Sequence, residues 1–522
     1  MTALVLRCVF VAHSYQGVRL TQDQREELDW PPSPARLHQA LMAAALTSGS
    51  FTNDSQSAAN ALEALRWLEQ QDSPEIVATA IEEAEFGTRF RLAIPQNNPA
   101  KSDLTKTSML LAPSLRRRVG REGGALAVEY IWRLEAVAAR EAAMKHLEAL
   151  ADLTAQIRYL GRAEDQIEAQ IGMKEHPFVN ATAVTCETWH PSSRAVDVDL
   201  WVPKDGTTDD LVHNHARIVP ARTRKPPASR YLRAQGYARE AVEGLLPVHV
   251  AIFQFFTEAG ILDEPPLSSD AENAGIWRSR IRQRAVDFAL EAGRWDNPDL
   301  AVELITGHPP DQPKRTDQPH LAIVPVPSIS IHGKADGRVR RFALLGYAKT
   351  GIAAEATEVY RVLCASLDGE IIEAAKSRYR LQRLDGRPEA DKVWSQYVRA
   401  SRVWHSVTPV ALARGFKVPA HSQDGSRRLT SNERHLRKLA EWEALFRASL
   451  SHVSLPGDQV AACSITLTPS QLVPNTQRAE NYRPPGESAV LTHARIEFSA
   501  HVRGPLVVGD RRYQGFGLFF PY

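Results

Sequence analysis

At 522 residues the chain is too long for a single core and predicts two or three domains. Hydrophobic residues make up 43% and charged residues 24%, which excludes a disordered, collagenous or disulfide-stapled protein. The formal net charge is only +2, so any affinity for a polyanion has to come from local clusters.

Four cysteines, Cys8, Cys186, Cys364 and Cys463, are scattered without a CxxC pair, which argues for a reducing compartment. The opening MTALVLRCVFVAHSYQG breaks its apolar run at Arg7 and has no basic start, unlike a signal peptide. No apolar run approaches the ~20 residues that span a bilayer, so a cytoplasmic protein without membrane contact is expected.

In chain order, ALVLRCVFVA reads as a buried strand. DWPPSPARLHQALMAAALTSGS reads as a helix, with Ser33 as cap, Pro34 in the first turn and leucines on one face. A second helix is expected at about Ala58 to Gln70, strands at RFRLAIP and ALAVEYIWRLE, and a helix from Ala138 to Ile157. This order is α+β with hairpins and lacks a regular βαβα alternation. The stretch Ala216 to Glu240 holds seven basic residues and one acidic residue among prolines, the mark of a boundary or surface arm.

Beyond it the pattern restarts. Val248 to Phe256 reads as a strand, Ala271 to Ala292 as a helix and NPDLAVELITGHPPDQPKRTDQPH as a loop. HLAIVPVPSIS and RVRRFALLGYA follow as strands, Ala353 to Leu367 as a helix and EIIEAAKSRYRLQRL as a closing strand. That β-α-β-β-α-β order is ferredoxin-like. A further half-unit follows: WHSVTPVALARG as strand, Asn432 to Leu450 as helix, then ACSITLTP and ARIEFSAHV as strands. The expected fold is therefore α+β with tandem ferredoxin-like (RRM-like, RAMP) domains: 1–215, a basic proline-rich arm or linker at 216–245, and a two-unit region at 246–522.

The terminal VRGPLVVGDRRYQGFGLFFPY weaves four glycines and three arginines between strand-like residues. Gly509, Gly515 and Gly517 permit positive φ or close backbone approach, and Arg511 and Arg512 beside freed N–H groups can cradle phosphates. Tyr513 and Phe516 could stack on bases. Read blandly, the same segment is a glycine-rich hairpin with solvated arginines. Three basic clusters point the same way as the loop: Arg116, Arg117, Arg118 and Arg121; Arg222, Arg224, Lys225, Arg230 and Arg233; and Arg427, Arg428, Arg434, Arg437 and Lys438. Any one run is an ordinary solvated face, but three together point to RNA or DNA.

Histidines titrate near neutrality and suit proton transfer, although a lone histidine is usually structural. His308 and His320 stand at the two ends of one loop, and His332 lies in IHGKADG. No HExxH, paired cysteine cluster, nucleophile elbow or phosphate-binding P-loop occurs, so neither metal nor cofactor is expected.

The C-terminal VGDRRYQGFGLF, with repeated ferredoxin-like units, resembles the CRISPR-associated repeat-processing endoribonucleases of the "Cas six" type. LVLRCVFVAHSYQG with DWPPSPARLHQALMAA is similar to the start of a handle-binding "Cas five" type subunit. Together with TGHPP, PHLAIVPVP, KADGR and VTPVAL they resemble the fusion of the two found in type I-G (formerly I-U) CRISPR effector modules (Csb family). The resemblance implies metal-independent cleavage of precursor CRISPR RNA within repeats. A 2′-hydroxyl would attack the adjacent phosphate, leaving a 2′,3′-cyclic phosphate and a 5′-hydroxyl. By position it implies His308 as the catalytic histidine, His320 next, and His332 with Lys334 third. The N-terminal half would bind the RNA handle, through Arg116, Arg117, Arg118 and the 216–240 arm. Implied partners are precursor and mature CRISPR RNA and the backbone and large subunits of a type I effector complex. The alternative is a non-catalytic RNA-binding subunit of a ribonucleoprotein.

Overall fold

Buried, largely β-branched or apolar side chains make ALVLRCVF a central strand, β1 (Ala3–Phe10), paired antiparallel on both edges. The computed structural model describes residues 2–11, 14–15, 17–20, 26–80, 90–93, 107–110, 115–116, 126–161, 165–175, 186–192, 196–221, 231–263, 276–291, 295, 297–309, 318–329, 335–374, 377–384, 391–412, 428–482 and 489–522. It divides into two units, 1–240 and 241–522. Both are α+β, with antiparallel sheets.

In the first unit β1 is followed by helices α1 (Pro34–Thr47) and α2 (Ser55–Glu69), strands β2 (Glu75–Thr79) and β3 (Ala127–Arg133), helix α3 (Val137–Ala155) and strand β4 (Ile167–Lys174). Strands β5 (Cys186–Pro191) and β6 (Val198–Pro203), helix α4 (Thr207–Ala221) and strand β7 (Leu232–Arg239) extend it. The sheet runs β4-β1-β3-β2-β5-β7-β6. Its core joins Leu4, Leu6, Tyr130 and Trp132 to Leu37, Leu41, Leu65 and Leu150 of the helices.

Two details add to the expected pattern. The strand expected at RFRLAIP is present as Phe90–Ala93, paired with Thr107–Leu110 in a separate ribbon, while the main sheet takes up the unanticipated EIVAT after α2. EIVAT is five residues long and follows closely on a helix, so its apolar run is easily absorbed into the helical pattern. The stretch expected to be an arm at 216–245 contains the end of α4 and the whole of β7, which pairs with both β5 and β6. Positive charge along a strand is no bar to pairing, since successive side chains point to opposite faces of the sheet.

The second unit contains strand β8 (His249–Thr257), helices α5 (Ile276–Leu290) and α6 (Pro298–Thr306), strands β9 (Ala322–Val326) and β10 (Arg341–Gly346), helix α7 (Ala353–Leu367) and strands β11 (Ile371–Ala374) and β12 (Ser377–Arg383). Their sheet runs β9-β10-β8-β12-β11. EIIEAAKSRYRLQRL is thus two paired strands, not one. A second sheet holds β13 (Ala400–Ser406), β14 (Val410–Leu412), β15 (Ser464–Thr468), β16 (Val490–Arg503) and β17 (Phe519–Pro521). Its order is β14-β16-β13-β17, with β15 also on β16. Helix α8 (Ser431–Ser451) packs Phe446 and Leu450 against Trp404 and Ile496 of this sheet. Among the described residues no helix is long and apolar enough to cross a membrane.

Candidate active site

The residues NPDLAVELITG, expected as loop, form α6, and this helix aims the first histidine. Asn297 caps it by accepting from the Leu300 N–H at 3.1 Å, Pro298 opens it, and Gly307 closes it at φ +87°. The left-handed turn throws His308 out of the helix direction. The Thr306 hydroxyl donates to the His308 carbonyl at 2.9 Å, and His308 Nδ1 lies 3.1 Å from the Pro309 carbonyl. Donation from Nδ1 leaves the lone pair on Nε2.

The chain re-enters at His320, whose Nδ1 stands 2.8 Å from the Gln318 carbonyl. A Cβ on Gly307 would come within 2.6 Å of that Nδ1, so the close approach of the loop's two ends requires glycine. The His320 ring lies 3.8 Å from the Tyr513 ring, centroid to centroid. Burial drives the His320 pKa down to about 4; Arg282, Arg512 and His308 add to this, and the Gln318 carbonyl opposes it.

Arg282, from α5, ties three segments together. Its Nη1 donates to the Ile305 carbonyl at 2.6 Å, and its Nη2 to the carbonyls of Leu321 (3.0 Å) and Tyr513 (2.6 Å). Burial lowers its pKa to about 10, so it stays charged at neutral pH. The two ends of the histidine loop and the C-terminal loop are thereby held on one guanidinium.

The C-terminal loop runs from Gly504 to Leu518 and lies deep. The Val508 N–H donates to the Gly517 carbonyl, the Gly517 N–H to Pro409 and the Asp510 N–H to Ala411. Gly515, at φ +88°, has room for no Cβ, which would stand 2.6 Å from the Ile323 carbonyl oxygen. Gly509, Gly515 and Gly517 perform both roles open to them, positive φ and close backbone approach. Phe516 is 2% exposed and Tyr513 8%, so neither offers an open stacking face; Tyr513 backs His320 instead. Asp510 and Gln514 are exposed and Arg511 is half-buried. Arg512 lies over the Tyr513 ring at 4.4 Å.

These segments enclose a cleft of about 400 Å³. His308, His320 and Arg282 line it, with Arg511 and Arg512 of the C-terminal loop and His452 at the end of α8. Three arginines face a single carboxylate, Asp510. Such a site can hold a phosphodiester while a neutral imidazole takes a proton from a neighbouring hydroxyl.

The structure thus brings together His308, His320, Arg511, Arg512 and Tyr513, with Gly509, Gly515 and Gly517 shaping the loop. His332 and Lys334 lie outside the described residues, as do Arg117, Arg118, Arg222, Arg224, Lys225 and Arg230. Arg116 pairs through its backbone with Ser14 in the first unit. Arg282 and His452 were not singled out from the sequence. Arg282 sits in IWRSRIRQRAV, where four arginines look like one solvated face; only its place one residue past the buried Ile281 hints otherwise. Among the described residues no group of three His, Cys, Asp or Glu is disposed to hold a metal ion.

Comparison with known proteins adds an independent line. No curated protein matches the chain. A solved structure titled "Csf5, CRISPR-Cas type IV Cas6 crRNA endonuclease" aligns at 13% identity over 52% of this chain and 99% of that one. Its TM-score is 0.20, a likeness too slight to define fold or activity. The family described as CRISPR-associated protein, GSU0054 family, matches residues 16–103 and 121–521, nearly the whole sequence. The chain belongs to the GSU0054 family of CRISPR-associated proteins.

Proposed function

We propose that this chain processes CRISPR RNA, cutting the precursor within its repeats without a metal ion and remaining on the product as an effector subunit. The cleft that joins His308 and His320 to Arg282, Arg511 and Arg512 carries this reading. His308 Nε2 takes the proton of a ribose 2′-hydroxyl, and that oxygen attacks the adjacent phosphorus. The bond from phosphorus to the 5′-oxygen breaks, and the leaving oxygen takes a proton from solvent. The products are a 2′,3′-cyclic phosphate and a 5′-hydroxyl. Arg511 and Arg512 offset the charge gathering on the phosphate oxygens. His320, with its pKa near 4, stays neutral and packs against Tyr513.

We read the scaffold as tandem ferredoxin-like units. The β4-β1-β3-β2 and β12-β8-β10-β9 orders, each with two helical crossovers, support this. The order β15-β16-β13-β17 supports a third unit, in which the glycine-rich loop stands where a second helix would be. On this reading the chain is a type I-G fusion. Its first unit holds the RNA handle with Arg116, Arg117 and Arg118 and with Arg222, Arg224, Lys225 and Arg230. Its neighbours are the backbone and large subunits of a type I effector.

The test is cleavage of a labelled cognate repeat RNA in excess chelator, with binding measured on the same samples. Wild type should cut, and His308→Ala should lose roughly 10²- to 10⁴-fold in rate while still binding. Tight binding with no cleavage by wild type would leave an RNA-holding subunit and end the nuclease reading.

A further inference from the structure

Helix α8 is built unevenly. It is 21 residues long and starts with a capping box between Thr430 and Glu433, yet its buried residues are only Phe446 and Leu450. No residue from 431 to 441 is buried. Among the described residues, a helix half with no buried side chain gains little from tertiary contact, which leaves its surface open to another use.

Charge indicates that use. Arg434 and Lys438 are exposed and Arg437 is half-buried, and none of the three makes an ion pair among the described residues. Arg447, further along, is matched by Glu443, and Glu433 is occupied by the cap. Lys438 Nζ lies 4.6 Å from the Trp442 ring centroid, which steadies it on the helix surface. The C-terminal part of the same helix lines the cleft with Leu445, Ala448, Ser449 and His452. Spacings of three, four and seven put these on one face. Continued towards the N-terminus, that face carries Lys438 and Arg434, each within about 20° of the Leu445 direction. Glu441 is the one carboxylate on it. From Ser449 back to Arg434 the helix rises about 22 Å.

We infer that this face of α8 is a track for the RNA strand leaving the cleft, with Arg434 and Lys438 on successive phosphates and Arg437 at the edge of the face. The inference rests on the proposed nuclease reading. It goes further, by assigning the flanking part of the substrate to a named surface. A polyanion fits because the unpaired positive charge is collinear with the cationic cleft, and a polymer bound there has to pass out along some wall.

The experiment uses the full-length protein and a labelled cognate repeat RNA methylated at its 2′-hydroxyls, so that binding is read without cleavage. R434A/R437A/K438A is compared with wild type and with R380A/K392A/R399A, which removes equal charge from other surfaces of the same unit. The α8 variant should bind roughly tenfold more weakly at 150 mM salt and lose about 2 from the slope of log K against log salt. The control should stay near wild type. RNA shortened on one side of the cleavage position should bind all three proteins alike. Melting curves that coincide would establish that the helix still folds. If the α8 variant matches wild type in affinity and slope, or falls no further than the control, the track is overturned while the nuclease reading stands. If wild type itself neither binds nor cuts the unmethylated repeat, the nuclease reading fails first.

Discussion

Arg282 is the residue on which the candidate site turns. Its guanidinium accounts for three carbonyls from segments far apart in sequence, and no carboxylate neutralises it among the described residues. Arg282→Lys keeps the charge but replaces a planar fork with a single ammonium. The expected result is a folded protein that binds repeat RNA within about threefold of wild type and cuts it 10- to 100-fold more slowly, the loss falling on kcat. Loosened geometry penalises the transition state more than the ground state. Unchanged cleavage by Arg282→Lys would show that charge alone suffices there. Gly517 offers a contrasting case, where the effect belongs to stability. It sits at φ +71°, and a Cβ would overlap the Val508 carbonyl oxygen. Gly517→Ala should cost about 3 kcal/mol or more in urea unfolding of the 241–522 unit, through strain and a forced shift of the loop. A loss below 1 kcal/mol would mean that the loop can move aside freely.

At the scale of elements, helix ends decide where the chemistry stands. The capping box on α8 pairs the Thr430 hydroxyl with the Glu433 N–H at 3.2 Å and Glu433 Oε2 with the Thr430 N–H at 2.9 Å. Because the first half of α8 has no buried side chain, the cap is its main local support. Thr430→Ala should therefore cost about 1 kcal/mol and speed amide exchange from Glu433 to Lys438, while Phe446 and Leu450 stay protected. Uniform exchange along the helix would contradict that division. The same local rules explain what could be read in advance. Pro34 and the leucine face marked α1, and the apolar faces of ALVLRCVF, AAEATEVYRVLCASL and the α8 segment marked their elements within a few residues. Helix α6 carries equally good signals in Asn297, Pro298 and Gly307, but its nine residues are too few for a helical period to stand out from the loop that follows. The cleft itself had no local signature. It forms where Thr306, His308 and His320 meet residues of 445–452 and 510–514, and only His308 and His320, flanking one loop, hinted at a shared site. Arg282 and His452 join through tertiary packing, to which a single sequence is blind.

For the whole molecule, both units keep histidines neutral by burial, which ties stability to pH. In the first unit His38 is 2% exposed; its Nε2 lies 3.1 Å from the Thr208 hydroxyl and 3.7 Å from Glu69. A carboxylate that close would favour imidazolium, but Glu69 already accepts from the N–H groups of Gly206 and Thr208 and from the Thr208 hydroxyl. Burial prevails and carries His38 down to about 4. In the second unit His320 falls to about 4 for the same first cause. Each folded pKa lies below the unfolded value near 6.5, so between those limits the unfolded chain binds more protons than the folded one. The stabilisation is therefore complete above about pH 6.5 and drains away as pH falls towards 4. Both units should lose stability across that window, read by urea midpoints together with region-resolved amide exchange. His38→Gln, which keeps a polar side chain near Thr208 but cannot titrate, should flatten the slope for 1–240 and leave that for 241–522 unchanged. Equal flattening in both would mean that acid sensitivity is set by net charge and not by these two rings. Within the cleft the same proton has a second effect, because an imidazolium at His320 would stand beside Arg282 and Arg512 and strain the contact with Tyr513. Cleavage should then fall below pH 5 in step with the loss of protection at residues 318–322, before the rest of the unit opens.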